Sequence, residues 1–295
     1  MNMRLLRWSL IGALRNASTN MAQRSAPASV RTEGSAKRCW TTSVEEPRQI
    51  TPKDLTEFDR DLISAKATWT RDLALTYASL AKFHPLWRTM GKIKQFSMLG
   101  AETLLMCRGY ALAARSGILE IGAYIGGSTV ALGMGLDAAG RKPMVTIDCG
   151  GSFENQPYLP SKDIHADWRK NCAKCGLPGI STLIDGWAHE EATINAAKAA
   201  AGNARFDLLF IDADGEVTRV LENFADRLTD DCLLIVDDYF NVLGGQEKVD
   251  VVARQVNQLL AEGIIEQYVL TPFSTWFGRL AKRSALIAKT AAIAR

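Results

Sequence analysis

The pattern of apolar positions changes period part-way along the chain. From Thr51-Pro52, a pairing that suits a helix start, apolar residues recur at helical spacing through Leu55, Phe58, Leu62, Trp69, Leu73 and Leu80. His84-Pro85 breaks this run, and a second helix is predicted over Met98–Ala114. From Ile118 onward, short apolar runs alternate with longer stretches of helical spacing. Strand Ile118–Ile121 precedes helix Gly127–Ala139. Strand Met144–Asp148 precedes a long loop, Cys149–Asp163, and a helix to about Cys175. Strand Ser181–Ile184 precedes helix His189–Ala201, and strand Phe206–Ile211 precedes helix Val217–Leu228. Strand Cys232–Val236 precedes a helix over about Gln246–Ala261, and strands Ile264–Leu270 and Thr275–Leu280 follow. Five strand–helix repeats predict an α/β fold with a mostly parallel sheet and right-handed crossovers. The last two strands are close enough to form an antiparallel hairpin.

Candidate chemistry begins at Ile118–Thr129, reading Ile-Leu-Glu-Ile-Gly-Ala-Tyr-Ile-Gly-Gly-Ser-Thr. A buried strand runs into glycines at Gly122, Gly126 and Gly127, and then into an apolar helix. Ligands of open α/β sheets bind outside the carboxyl ends of the strands. Glycine lets backbone approach such a ligand, and N–H groups at a helix start can bond to it. The dinucleotide fingerprint G-x-G-x-x-G is not met, because residue 124 is Tyr.

The string Glu120-Ile-Gly-Ala-Tyr-Ile-Gly-Gly-Ser128 resembles motif I of class I S-adenosylmethionine (SAM)-dependent methyltransferases. In particular it resembles the small O-methyltransferases, the group of the catechol and caffeoyl-CoA enzymes. The ending Thr275-Trp-Phe-Gly-Arg-Leu280 resembles the last strand of a related, broad bacterial methyltransferase family. The resemblance covers about residues 90–281. It implies a Rossmann-like, seven-stranded, mostly parallel sheet with one antiparallel strand inserted last. It also implies SAM as cofactor and a small-molecule methyl acceptor, most readily methylated at oxygen.

The resemblance assigns roles strand by strand. Glu120 would meet the amino group of the SAM methionine, often through water. Gly122, Ala123, Tyr124 and Gly126 would line the methionine, and Ser128 would bond its carboxylate. Asp148, 26 residues beyond Gly122, would accept the ribose hydroxyls, as an acid at this strand end can do in a bidentate way. Gly186 and Trp187, with Asp185, lie where the family packs adenine. The fourth and fifth strand ends, Phe210-Ile-Asp212-Ala-Asp214 and Val236-Asp237-Asp238-Tyr239, bring several carboxylates together. Such a cluster needs a cation or a proton, and an oxygen-only set suits Mg²⁺ or another divalent ion. The family's metal ligands map onto Asp212, Asp237 and Asp238. Two positions depart from the pattern: Asp238 stands in place of Asn, and Gly215 in place of a Lys general base. Without metal, Asp212, Asp214, Asp238 or His165 is a candidate base. The basic stretch Met90–Ser97, with Lys92, Lys94 and Phe96, is a lid candidate.

Composition bounds the reading. With 295 residues, 47% apolar and 23% charged, the chain is an ordinary globular protein with room for one large α/β domain. The net charge of +3 conceals about +6 in residues 1–40 and about −3 in the rest, so nucleic acid is not an expected partner. No apolar run reaches the roughly 18 residues of a membrane span. Residues 1–50 are basic and rich in Ser, Ala and Thr, and Met3–Arg15 is amphipathic. They read as a mitochondrial transit peptide, a disordered tail or an upstream extension. The expected location is therefore intracellular and soluble, cytoplasmic or mitochondrial. The remaining segments are a helical cap (51–115), a cofactor-binding domain (116–283) and an Ala-rich tail (284–295). A homodimer is compatible with this reading. Cys172-x-x-Cys175 lacks the second pair of a zinc site and reads as packing. The rival functions are a nicotinamide-dependent Rossmann oxidoreductase and a non-catalytic SAM-binding relative.

Overall fold

The computed structural model describes Asp59 and residues 70–140, 143–213, 215–239, 247–271 and 274–293. All of them lie in one compact unit, Glu45–Arg295. The basic segment 1–50, the helix start at Thr51 and the candidate Asp214 lie outside the described residues.

Among the described elements, three α-helices precede the sheet: α1 (Arg71–Leu80), α2 (Trp87–Ile93) and α3 (Ala101–Ala113). Then β1 (Ile118–Ile121), α4 (Gly127–Ala138), β2 (Met144–Asp148), α5 (Ile164–Lys174), β3 (Thr182–Asp185) and α6 (Glu191–Ala200) follow. The chain continues through β4 (Phe206–Ile211), α7 (Val217–Phe224), β5 (Leu228–Val236) and α8 (Glu247–Ala261). It closes with β6 (Ile265–Leu270), β7 (Trp276–Leu280) and α9 (Arg283–Ile293). The seven strands form one sheet in the order β3-β2-β1-β4-β5-β7-β6. Strands β1 to β5 pair in parallel, and β7 is antiparallel to both β5 and β6. This is the Rossmann-like sheet with a closing antiparallel pair that the resemblance implied.

Alternate side chains of the central strands feed two cores, because successive residues of a strand point to opposite faces. Leu208 and Phe210 pack with α1–α5, whereas Leu209 and Ile211 pack with the α6–α9 side. Helix α3 is the centre of the first layer, with ten of its thirteen residues buried. It packs on α4 closely enough that a Cβ at Gly135 would overlap the carbonyl of Arg108. The fully buried Arg108 donates from Nη1 to Asp59 Oδ1 at 2.8 Å, and His84 Nε2 lies 3.0 Å from the other Asp59 oxygen. Burial opposes ionisation of Asp59, yet the His84 bond and the Arg108 charge together hold its pKa well below the ordinary value.

Four details differ from the sequence-based expectation. Strand β5 begins at Leu228 rather than Cys232; the added residues Thr229, Asp230 and Asp231 are polar and lie where the pairing with β4 is irregular. Helix α7 correspondingly ends early, at Phe224. The stretch expected as a lid is helical and packed, with Met90 fully buried and Ser97 pressed against Gly127. The Ala-rich tail is helix α9, whose Leu286 is fully buried in the second core.

Leu286→Ala should therefore destabilise the protein by about 2–4 kcal/mol, the usual range for truncating a buried leucine. Urea unfolding monitored by circular dichroism measures this; a change below about 0.5 kcal/mol, typical of a surface substitution, would show that α9 does not dock.

Candidate active site

Parallel pairing brings the carboxyl ends of β1, β2, β4 and β5 to one edge, each carrying or followed by an acid. The turn after β1 is held by Asp148. Its Oδ2 accepts the N–H groups of Ala123 (2.9 Å) and Tyr124 (2.8 Å), and its Oδ1 accepts that of Gly150 (2.8 Å). Gly122 has φ +79° and Gly126 φ +95°, the left-handed region that glycine enters without steric cost. A Cβ at Gly122 would overlap the carbonyl of Asp212, so β1 and β4 meet here backbone to backbone. Tyr124, itself at φ +48°, donates its hydroxyl to the carbonyl of Leu159 and sets its ring edge-on to Phe153, 6.3 Å away. The turn is thereby tied to the long loop after β2.

Glu120 lies beneath this turn, fully buried. Its Oε2 accepts the hydroxyls of Thr129 (2.7 Å) and Thr146 (2.8 Å), while Oε1 is buried and has no hydrogen-bond partner among the described residues. Trp168 Nε1 in turn donates to Thr129 Oγ1 at 2.9 Å, fixing that hydroxyl. Burial pushes the Glu120 pKa up to about 7, against the pull of the Ser128, Thr129 and Thr146 hydroxyls. Ser128, which the resemblance assigns to a cofactor carboxylate, is buried, and its hydroxyl lowers the Glu120 pKa.

His165, a candidate base beyond the long loop after β2, lies against Asp148. Its Nε2 is 3.1 Å from the Asp148 carbonyl and 3.7 Å from Asp148 Oδ1. It belongs to the β2 end and supports Asp148. At the β3 end, Gly186 has φ +141°, and Trp187 is 45% exposed and stacked on His189 at 5.8 Å. An exposed indole at this strand end is available to a flat ligand. Cys172 and Cys175 are buried, and burial raises both thiols, Cys175 to about 11. That suits packing and not a reactive pair.

The fourth and fifth strand ends converge as their spacing implied. One carboxylate oxygen from each of Asp212, Asp237 and Asp238 lies within 4.8 Å of the others. Asp238 has φ +58°, a conformation Asp and Asn tolerate better than other residues do. Sequence reasoning missed the fourth member. Lys248, in the first turn of α8, places Nζ 2.6 Å from Asp238 Oδ2 and 3.2 Å from Asp212 Oδ1. Thr275 Oγ1 donates to Asp237 Oδ1 at 2.6 Å. A divalent ion at this centre would have to displace Lys248. Burial pushes the Asp212 pKa up to about 6, Lys248 pulling it down and Asp238 pushing it up. Asp237 is raised well above the ordinary range by burial and by its two acidic neighbours, Asp212 and Asp238. Burial opposes the charge on Lys248, but the Asp212 and Asp238 carboxylates outweigh it and keep the ammonium protonated.

Acids aligned at the ends of β1, β2, β4 and β5, a glycine turn at β1 and an antiparallel β7 are together the frame of a class I methyltransferase. Residues 119–239, from β1 to just past β5, match the family model described as a methyltransferase domain. This segment is thus similar to a methyltransferase domain, and with the β6–β7 pair the match disfavours the oxidoreductase reading. Among solved structures, a Staphylococcus aureus protein assigned as a caffeoyl-CoA O-methyltransferase superposes with a TM-score of 0.51 at 17% identity. That likeness covers 70% of this chain and 99% of the other and shows the shared fold. An O-methyltransferase from Bacillus cereus, solved with S-adenosylhomocysteine, gives a TM-score of 0.47 at 17% identity over 78% of this chain and 100% of its own. No curated protein matches the chain by sequence. Among the described residues, no helix is long and apolar enough to cross a membrane.

A Glu120 pKa near 7 in the folded protein and near 4.5 in the unfolded chain makes the folded state bind more protons between those values. Stability should therefore fall as pH rises through that window. Glu120→Gln, which cannot ionise, should gain about 2 kcal/mol more stability at pH 8 than at pH 5. Thermal unfolding of both forms at the two pH values measures it; equal effects would place the Glu120 pKa near that of a free carboxylate.

Proposed function

We propose that this protein transfers the methyl group of SAM to an oxygen of a small hydroxyl compound. The observation that carries the reading is the Asp148 clamp on the Ala123–Tyr124 turn, set beside the buried and partnerless Glu120 Oε1. SAM has a feature for each. Its ribose hydroxyls suit the remaining acceptor capacity of Asp148, and its methionine ammonium suits a buried carboxylate that lacks a cation. Trp187 offers its exposed face to the adenine. SAM supplies an activated methyl on a positively charged sulfur.

The acceptor then belongs beside Asp212 and Asp238. Its oxygen forms the new O–CH₃ bond as the S–CH₃ bond breaks, the bonding pair leaving with sulfur. The hydroxyl proton passes to Asp212 or Asp238 and then to water. The protein's contribution is alignment and a field that favours the nucleophilic oxygen. Exposed Met98 and Phe153 support an acceptor with a flat apolar body; Phe153 is part of the loop tied to Tyr124, and Gln156 Nε2 of the same loop reaches Met98 Sδ at 3.0 Å.

Calorimetry on the full chain tests the cofactor. S-adenosylhomocysteine should bind with a Kd in the range of about 1–100 μM, and NADH should not bind. Asp148→Ala should weaken binding at least about tenfold, about 1.4 kcal/mol. Incubation with SAM and a panel of phenols and small alcohols, read by mass spectrometry, should show a 14-dalton gain on one class. Binding of NADH in place of S-adenosylhomocysteine would refute the proposal.

A further inference from the structure

The acidic edge of this sheet is completed by a cation the chain provides itself. Lys248 reaches it from α8, the crossover that follows β5, and not from the turn after β4, where Gly215 stands. Its ammonium bridges Asp212 and Asp238, the third acid, Asp237, being engaged by Thr275. The contacts of 2.6 and 3.2 Å are those of charge-assisted hydrogen bonds. An ammonium has three N–H donors. Two are spent on these carboxylates, which leaves one.

We propose that Lys248 occupies the seat of a divalent ion, so that the reaction centre is metal-independent and its free N–H binds the acceptor oxygen. This rests on the methyl-transfer reading for the identity of the acceptor, but not for the seat itself. Three carboxylates with oxygens within 4.8 Å are at the spacing of an oxygen-ligated cation. A single positive charge on a tethered stem orients a hydroxyl by one directed hydrogen bond, whereas a divalent ion could chelate two adjacent oxygens. The substrate class therefore shifts from vicinal diols to compounds presenting one hydroxyl. Asp238 in place of Asn fits as well, since its second carboxylate oxygen gives the ammonium a charged partner where an amide would offer only a dipole.

The test is a titration of Mn²⁺ into the full chain after EDTA dialysis, by calorimetry and by the electron paramagnetic resonance signal of free Mn²⁺. The wild type should show no saturable binding below about 1 mM, with or without S-adenosylhomocysteine. Lys248→Met, which removes the charge and keeps the stem, should bind one Mn²⁺ at least about tenfold more tightly than wild type. Adding Asp212→Asn should abolish that gain. One Mn²⁺ bound by the wild type and lost in Asp212→Asn would overturn the proposal. So would a Lys248→Met protein that keeps its circular dichroism spectrum and melting transition but gains no metal. If Lys248→Met does not fold, the wild-type titration and Lys248→Gln decide. The metal signal needs neither cofactor nor turnover, so absence of S-adenosylhomocysteine heat would count against the methyl-transfer reading alone.

Discussion

One carboxylate holds the acidic edge of the sheet in shape. Asp148 ends β2, and its two oxygens collect three backbone N–H groups, two from the turn after β1 and one from its own loop. Those N–H groups would otherwise face the edge unpaired, and a turn of left-handed residues such as Gly122 and Tyr124 has few other ways to satisfy them. Fixing that turn fixes what hangs from it. Gly122 meets the Asp212 carbonyl, Tyr124 reaches the loop after β2, and Gly126 starts α4 over Trp168. His165 packs beneath Gly150 and bonds the Asp148 carbonyl, so the clamp is itself supported.

Behind the clamp, the protein keeps two acidic centres by different physical means. Glu120 is solvated by hydroxyls and has no cation among the described residues; burial pushes its pKa up to about 7. The Asp212–Asp237–Asp238 group has a lysine, and the Thr275 hydroxyl donates to Asp237. Like charges this close cannot all ionise in a partly dry site. The first centre keeps one oxygen without a hydrogen bond among the described residues. The second is already largely compensated from within the chain.

The helices ahead of β1 form part of the core rather than a detachable cover. Helix α3 is buried almost throughout and lies against α4 at Gly135. A buried Arg108–Asp59 pair links it to the residues before it. Losing either partner would strand a charge inside the protein, so this helical layer and the sheet are expected to unfold as one unit.

Much of this was legible in the sequence. Strand–helix alternation has a strong periodic signal, and the positions of acids relative to strand ends follow from counting residues. The β1 turn, Asp148 and the convergence of Asp212, Asp237 and Asp238 were therefore readable in advance. So was the antiparallel finish, from two strands separated by too few residues for a crossover. Other features depended on contacts between residues distant along the chain. The partner that reaches Asp212 and Asp238, Lys248, stands at the start of a helix where a lysine ordinarily faces water. The docking of α9 rests on a buried leucine in an Ala-rich stretch and on Arg283, which donates to the Ala225 carbonyl. The seat of His165 under Asp148 depends on how a fifteen-residue loop folds back. Local pattern records which elements form and which strand ends carry acids. Which side chain neutralises them is decided only when the elements pack, because charge compensation acts through space and leaves no period in the sequence.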